Sequence, residues 1–522
     1  MSKFKTDANN WWKNVITEFS AKCVIVTFIS TFIWGFIAHG IALTNKFCWQ
    51  DEMNYVFTLG NDYTLGRFML GFFLGQDKVV WGASPYSTPL FNGLASLLFL
   101  AIIAALLIKI FDIENIFLGI VLSGILTTIP VVAVIFAYMY TAPAYFFGFL
   151  LGVFGIYLIK KYNNIIVYII AVFLMSLSIG TYQGFLPTLL GIMLIMFLNF
   201  LLKSKEEPGS KKNIFKGVSI IFSVPLFVGV YYVLMKLINK ALQITLSDYR
   251  GVSSMGHLGI KTYAGRAITA YKRFFSLAEN KPGNVFLNNT KYLYYFVIFV
   301  NIALVLILFI KNVKKNKLAY ILFLVFSALI PLAGNFIYVM CAEDDVYTIM
   351  AYGLSVPFLF AIFMIQRILD AFDGKKLVLI DAFAISILCL FLVKIDNICY
   401  LKTQFVQQQA ISYFTTLISN IKSTDGYSDE YPVATINNFQ INDASFTEIP
   451  EFTIPLVPYD HNVNDYVNNY MYRDFMAFWC GYNPDYVTNT TDLENSPEVQ
   501  KMPSYPKDGS IKVIDDTVVV KF

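Results

Sequence analysis

Eleven stretches of the chain run for 16 to 24 residues almost without charge. A helix crossing about 30 Å of hydrocarbon needs ~20 mostly apolar residues, so these runs predict spans at Cys23 to Thr44, Thr88 to Phe111, Ile116 to Phe136, Thr141 to Ile159, Ile165 to Gly180, Phe185 to Leu202, Val218 to Leu237, Tyr292 to Ile310, Leu318 to Tyr338, Tyr347 to Ile365 and Leu377 to Val393. The fifth and sixth, separated only by Thr181 to Gly184, form a tight helical hairpin. Only 14% of the residues are charged, against about a quarter in soluble domains. The expected fold is therefore an all-α polytopic membrane protein of about 11 transmembrane helices, with the lipid bilayer as its solvent.

The basic residues set the orientation. Lys160 and Lys161, then Lys203, Lys205, Lys211, Lys212 and Lys216, then Lys311, Lys314, Lys315 and Lys317, then Arg367, Lys375 and Lys376 fall in alternate loops. The intervening loops MYTA, TYQG and CAEDDV hold no Lys or Arg. The positive-inside rule then places the N-terminus in the cytoplasm. The apolar run after MSKFKTDANNWWKNVITEFSAK is too long for a signal-peptide core and reads as a retained anchor in the plasma or inner membrane. The net charge of +4, dispersed in short clusters, does not suit nucleic acid.

After the last apolar run the composition changes. Residues 394–522 are rich in Asn, Asp, Tyr, Thr and Pro, with β-type stretches YPVATI, SFTEIPEFTI and KVIDDTVVVKF. They predict a small C-terminal α+β domain, extracytoplasmic if the spans number eleven, following a membrane domain over 1–393. The six cysteines show no metal-ligand spacing. Cys48 and Cys341 both adjoin carboxylate clusters on the expected outer side, where a disulfide between them is chemically allowed.

The ionisable residues outside the basic loops gather at that outer interface. They are Asp51, Glu52, Asp62, Arg67 and Asp77 in the first outer loop; Asp248, Arg250, His257, Lys261, Arg266, Lys272 and Arg273 in the fourth; and Glu343, Asp344 and Asp345 in the fifth. The spans are nearly free of charge. An ion-coupled transporter keeps ionisable groups near the bilayer midplane, so this distribution favours a reaction at the membrane surface on a lipid-anchored substrate. Two loop segments, NDYTLGRFMLGFFLGQDKVVWG and YAGRAITAYKRFFSLAEN, predict helices lying in the interface plane.

Three features together resemble a known family. Asp51, Glu52 and Tyr55 in QDEMNY follow the first span in the Asp-Glu-x-x-Tyr pattern of many GT-C glycosyltransferases; LGRFML surrounds Arg67, and SIGTYQGFLP surrounds Gln183. Over residues 25 to 370 the chain resembles the Gtr-type glucosyltransferases that decorate bacterial O-antigens. The resemblance implies a GT-C-like fold and transfer of a hexose, glucose foremost, from a polyprenyl-phosphate-linked donor to a surface glycan acceptor, with inversion. It also implies Asp51 as general base, with Glu52 either orienting the acceptor or serving as the base itself.

The substrate-binding candidates are Tyr55, Arg67, Tyr182, Gln183, Arg250, His257, Lys261, Arg266 and Arg273. Arg67 either binds phosphate or snorkels to headgroups; Gln183 either meets a sugar hydroxyl or caps freed backbone. Most bases of the fourth outer loop read as interfacial anchors, with a phosphate ligand among them. Glu343, Asp344 and Asp345 read either as hard oxygen ligands for a divalent metal, Mg or Mn, or as an acidic turn. His39 reads as an interhelical residue. The rival readings are a polysaccharide polymerase and a lipid-linked glycan flippase.

Overall fold

A computed structural model describes residue 17 and residues 19–47, 49, 51–52, 62–81, 87–203, 211–247, 258–276, 290–342, 346–372, 379–439 and 466–522. The chain forms two compact units: residues 1–46 with 61–397, and residues 47–60 with 398–522. The first is a helical bundle. In chain order its helices are α1 (Lys22–Thr44), α2 (Phe68–Trp81), α3 (Pro89–Phe111), α4 (Ile116–Thr128), α5 (Pro130–Ala137), α6 (Ala142–Lys161), α7 (Ile165–Thr181), α8 (Leu186–Lys203) and α9 (Lys211–Ala241). They continue with α10 (Ile260–Ser276), α11 (Thr290–Asn312), α12 (Lys317–Ser327), α13 (Ile330–Gly334), α14 (Ile337–Met340), α15 (Val356–Ala371) and the start of α16 (Leu379–Lys422).

Among the described residues eight helices are long and apolar enough to cross a membrane, or nine if α4 and α5, bent by 42°, make one span. The chain is a multi-pass membrane protein. The expected eleven is not reached on this count. Helix α7 is apolar but has only 17 residues, and the last expected span is the first part of the 44-residue α16.

One of the expected spans is bent by 42° at Pro130, and a second is interrupted near Pro331, where α12 and α13 still run on as one span-length helix, Lys317–Gly334. Pro130 starts α5 and cannot donate to Leu126 O, the carbonyl one turn back. That carbonyl instead accepts from the Tyr352 hydroxyl at 2.6 Å, and the neighbouring Thr127 O lies 2.7 Å from His39 Nε2. The run from Leu318 to Tyr338 is divided into α12, α13 and α14, with Pro331 in α13. There Ala328 O accepts from Tyr271 at 2.7 Å. In lipid, where water cannot satisfy freed carbonyls, such side-chain donors are what make a broken helix tolerable.

Close helix approach comes from small residues. Along α6, Gly148, Gly152 and Gly155 face α7: a Cβ on Gly155 would stand 2.7 Å from the Ala171 carbonyl, and one on Gly152 would stand 2.7 Å from Ser178 Oγ. Backbones that approach this closely gain dispersion contact, the main attraction between helices in lipid. The short 3₁₀ turn Gln183–Phe185 joins α7 to α8; α7 packs along α6 and not along α8, so the expected tight hairpin of these two helices is not formed.

One end of the bundle is tied by a polar knot. Asp112, in left-handed conformation with φ 53° after α3, pairs with Lys160 and, at 2.7 Å, with Lys203. Asn199 donates at 2.8 Å to the Asp112 oxygen that Lys203 also holds. The buried Arg367 donates to Asp112 O at 2.6 Å and pairs with Asp370 at 3.2 Å. Gln366 accepts from the backbone of Glu114 and Asn115. Loops that the sequence puts on one side thus meet at one end of the bundle. Burial alone would raise the Asp112 carboxyl, but the Lys160 and Lys203 charges outweigh it and hold the group at about 2.

The second unit holds a three-stranded sheet in the order β1 (Val433–Ile436), β3 (Thr517–Lys521), β2 (Ile511–Ile514), with β1 parallel and β2 antiparallel to β3. Asp515 and Asp516 both take positive φ between β2 and β3, the conformation a two-residue hairpin needs. Ala434, Ile436 and Val519 pack on Val499 and Met502. Phe439, Tyr472 and Phe522 form an aromatic cluster beside them, joined through Phe439 by Phe414 of α16. The sequence stretch SFTEIPEFTI lies outside the described residues.

Candidate functional site

The acidic pair belongs to the second unit. Trp49, nearly sealed at 2% exposure, packs its ring 5.5 Å from Tyr466. Its carbonyl accepts from Glu52 N at 3.0 Å, which starts a turn of helix at Asp51 and Glu52. The turn separates the two carboxylates: Glu52 is buried at 0% exposure, while Asp51 is exposed. Tyr466 is in turn held by Gln407, which accepts from its hydroxyl at 3.0 Å. Tyr55 lies outside the described residues.

Arg67 is presented by a built loop in the first unit. A 3₁₀ turn, Asp62–Leu65, is closed by Gly66 N to Tyr63 O and by Arg67 N to Asp62 O, both at 3.0 Å. Gly66 has φ +71°, and a Cβ there would sit 2.8 Å from the Tyr231 hydroxyl and 2.9 Å from Met235 Sδ. Gln183, in the turn that joins α7 to α8, donates to Leu65 O at 2.8 Å and to Tyr231 OH at 2.9 Å. Tyr231 donates onward to Gly66 O at 3.2 Å. The Arg67 guanidinium lies 5.0 Å over the Tyr182 ring, which stacks on Tyr145 at 4.7 Å. Gln183 and Tyr182 therefore fix where Arg67 points, one by holding its loop and one by carrying its charge.

Helix α10 carries Lys261, Arg266, Lys272 and Arg273 and no carboxylate. Its buried residues Ala270 and Phe274 face the bundle, with Ala270 packed on Ile337, Tyr338 and Cys341. Asn335 donates to Ala270 O at 3.2 Å, and Tyr294 to Phe274 O at 2.9 Å. Arg266 donates to Met340 O at 3.2 Å, whereas Lys261 and Lys272 are exposed. Helix α2 likewise lays Phe68 on Gly180 and the edge of Phe73 on Phe147.

Arg250, His257, Glu343, Asp344, Asp345 and Cys48 lie outside the described residues. Among the described residues no three His, Cys, Asp or Glu side chains gather as metal ligands. Sequence reasoning missed Tyr231 and Tyr145. Both are aromatic residues inside apolar runs, where the pattern looks like any other lipid-facing or core ring.

The fold is that of a multi-pass membrane protein with charged side chains in a built loop and on the amphipathic helix α10. The family model described as Glucosyl transferase GtrII matches residues 40–358. The chain belongs to that family, and with it to the membrane glycosyltransferases. Searches of characterised proteins and of solved structures return no match.

Proposed function

We propose that this chain transfers a hexose, glucose foremost, from a polyprenyl-phosphate-linked donor to a surface glycan, on the outer face of the plasma or inner membrane. The acceptor hydroxyl attacks C1 of the sugar as the C1–O bond to phosphate breaks, with inversion. A carboxylate of the Asp51–Glu52 pair takes the hydroxyl proton, and polyprenyl phosphate leaves with both electrons of the broken bond. Cations at headgroup depth, Arg67 and the bases of α10 among them, stabilise the phosphate charge. In this reading the N-terminus is cytoplasmic and residues 394–522 are extracytoplasmic, where they select the acceptor.

The observation that carries the reading is the acidic pair. It follows the first apolar helix, within the segment matched to the family, and one of its members is shielded from water.

The test uses purified protein in proteoliposomes, labelled polyprenyl-phosphate glucose and candidate glycans. Asp51→Asn and Glu52→Gln are compared with the unaltered chain. Loss of the general base should lower transfer roughly 10²- to 10⁴-fold while donor binding persists. Full turnover in the double variant refutes the assignment, and lipid translocation without transfer favours a flippase.

A further inference from the structure

Tyr271, Phe274 and Phe275 at the end of α10 form one edge of a cavity of about 310 Å³. Its walls are Ile298 to Leu306 of α11, Leu324 to Ala328 at the end of α12, Ile330 and Pro331 of α13, and Pro357 and Phe360 of α15. The buried side chains Phe274, Ile298, Val305, Ile330 and Phe360 form the back. The exposed Phe275, Ile302, Leu306 and Ala328 form the mouth, so the cavity opens sideways. The faces flanking that mouth carry Phe299, Ile310 and Val325, all more than half exposed, as lipid-facing surface is.

Resting on the transfer reading above, we infer that this cavity holds the hydrocarbon chain of the polyprenyl phosphate donor, beneath the bases of α10. Three observations support that occupant. From Ile298 to Leu306 the wall descends ~12 Å along α11, the direction a chain takes from an interfacial helix into the bilayer. The volume holds roughly ten water-sized groups, enough for the head-proximal part of one chain and too little for the paired chains of a phospholipid. The helix above bears four cations and no anion, which suits a lipid whose head is a phosphate. Ser327 Oγ, buried at 8% exposure, and Asn301 Oδ1, buried at 5%, have no protein hydrogen-bond partner. Ser327 adjoins the carbonyl held by Tyr271 and so stands at the α10 end, within reach of the phosphoester end of the chain.

The test is photolabelling of the unaltered protein in phosphatidylglycerol-containing proteoliposomes, using a polyprenyl phosphate with a diazirine in its second isoprene unit. Labelled peptides should map to 271–275, 298–306 and 324–331, with excess polyprenyl phosphate removing the label and excess phosphatidylglycerol leaving it. Ala328→Trp, at the mouth, should raise the donor KM at least tenfold with kcat, acceptor KM and Tm unchanged. Labelling at other helices, or displacement by phosphatidylglycerol as readily as by polyprenyl phosphate, overturns the inference. Labelling needs no turnover, so a protein that binds the chain here but transfers no hexose refutes the transfer reading and leaves this one standing.

Discussion

The guanidinium of Arg67 stands 5.0 Å over the ring of Tyr182, and the same turn between α7 and α8 supplies Gln183, whose amide nitrogen holds the carbonyl two residues before that arginine. One turn thus sets both the position and the surroundings of a cation. If Arg67 stabilises the leaving phosphate, Arg67→Ala should lower kcat about 10²-fold, some 3 kcal/mol of transition-state stabilisation. Arg67→Lys should recover only part, since an ammonium lacks the planar fork and stacks less well. Gln183→Ala should cost about tenfold through misplacement of the loop. Transfer assays with thermal melts in detergent separate these effects from unfolding; equal losses in kcat and Tm for all three variants would falsify a role in the reaction.

Gly66 admits no side chain. At φ +71° a β-carbon costs roughly 1–2 kcal/mol of backbone strain, and here it would also press on Tyr231 and Met235. Gly66→Ala should therefore destabilise by more than the strain alone. Adding Tyr231→Phe relieves the contact with the hydroxyl but not the backbone strain, so the double variant should melt between the single variant and the unaltered chain. A double-mutant cycle on Tm measures the coupling.

Much of the bundle is legible in the sequence because hydrocarbon demands long apolar runs and little else. The bend at Pro130 is less so: a proline announces a lost hydrogen bond but not that Tyr352 will supply a donor to Leu126 O from a distant element. The eleven-span count shows the same limit at α16, where an apolar run continues into a helix more than twice its length. At the site, charge identifies Asp51, Glu52, Arg67 and the bases of α10. Charge cannot say that one turn of helix buries Glu52 and exposes Asp51, because that depends on Trp49 meeting Tyr466, more than 400 residues away. For Gln183 the sequence leaves a sugar contact and a backbone cap equally open, and its amide nitrogen is in fact engaged by Leu65 O and the Tyr231 hydroxyl.

Tyr352→Phe removes one oxygen and leaves Leu126 O without the hydroxyl that satisfies it. A buried carbonyl deprived of its donor costs about 1–3 kcal/mol, while the ring packing on Phe149 and Phe185 stays. The variant should melt several degrees lower with transfer kinetics nearly unchanged at permissive temperature. An undiminished Tm would mean that the α4–α5 break finds another donor.

Asp112 gives the pH dependence a definite sign. Its folded value of about 2 lies below the ordinary 3.8, so the ionised form is favoured by folding, through Lys160 and Lys203. The stabilisation is in place above about pH 4 and disappears as pH falls toward 2, amounting to about 2 kcal/mol by linkage. Asp112→Asn should lower Tm at neutral pH, since it leaves two lysines facing one another across a neutral amide. It should also flatten the acid limb of the Tm curve between pH 4 and 2. Melts of both proteins across that window decide the matter: parallel curves would show that the lysines find other counter-charges and that the knot at this end does not depend on the carboxylate.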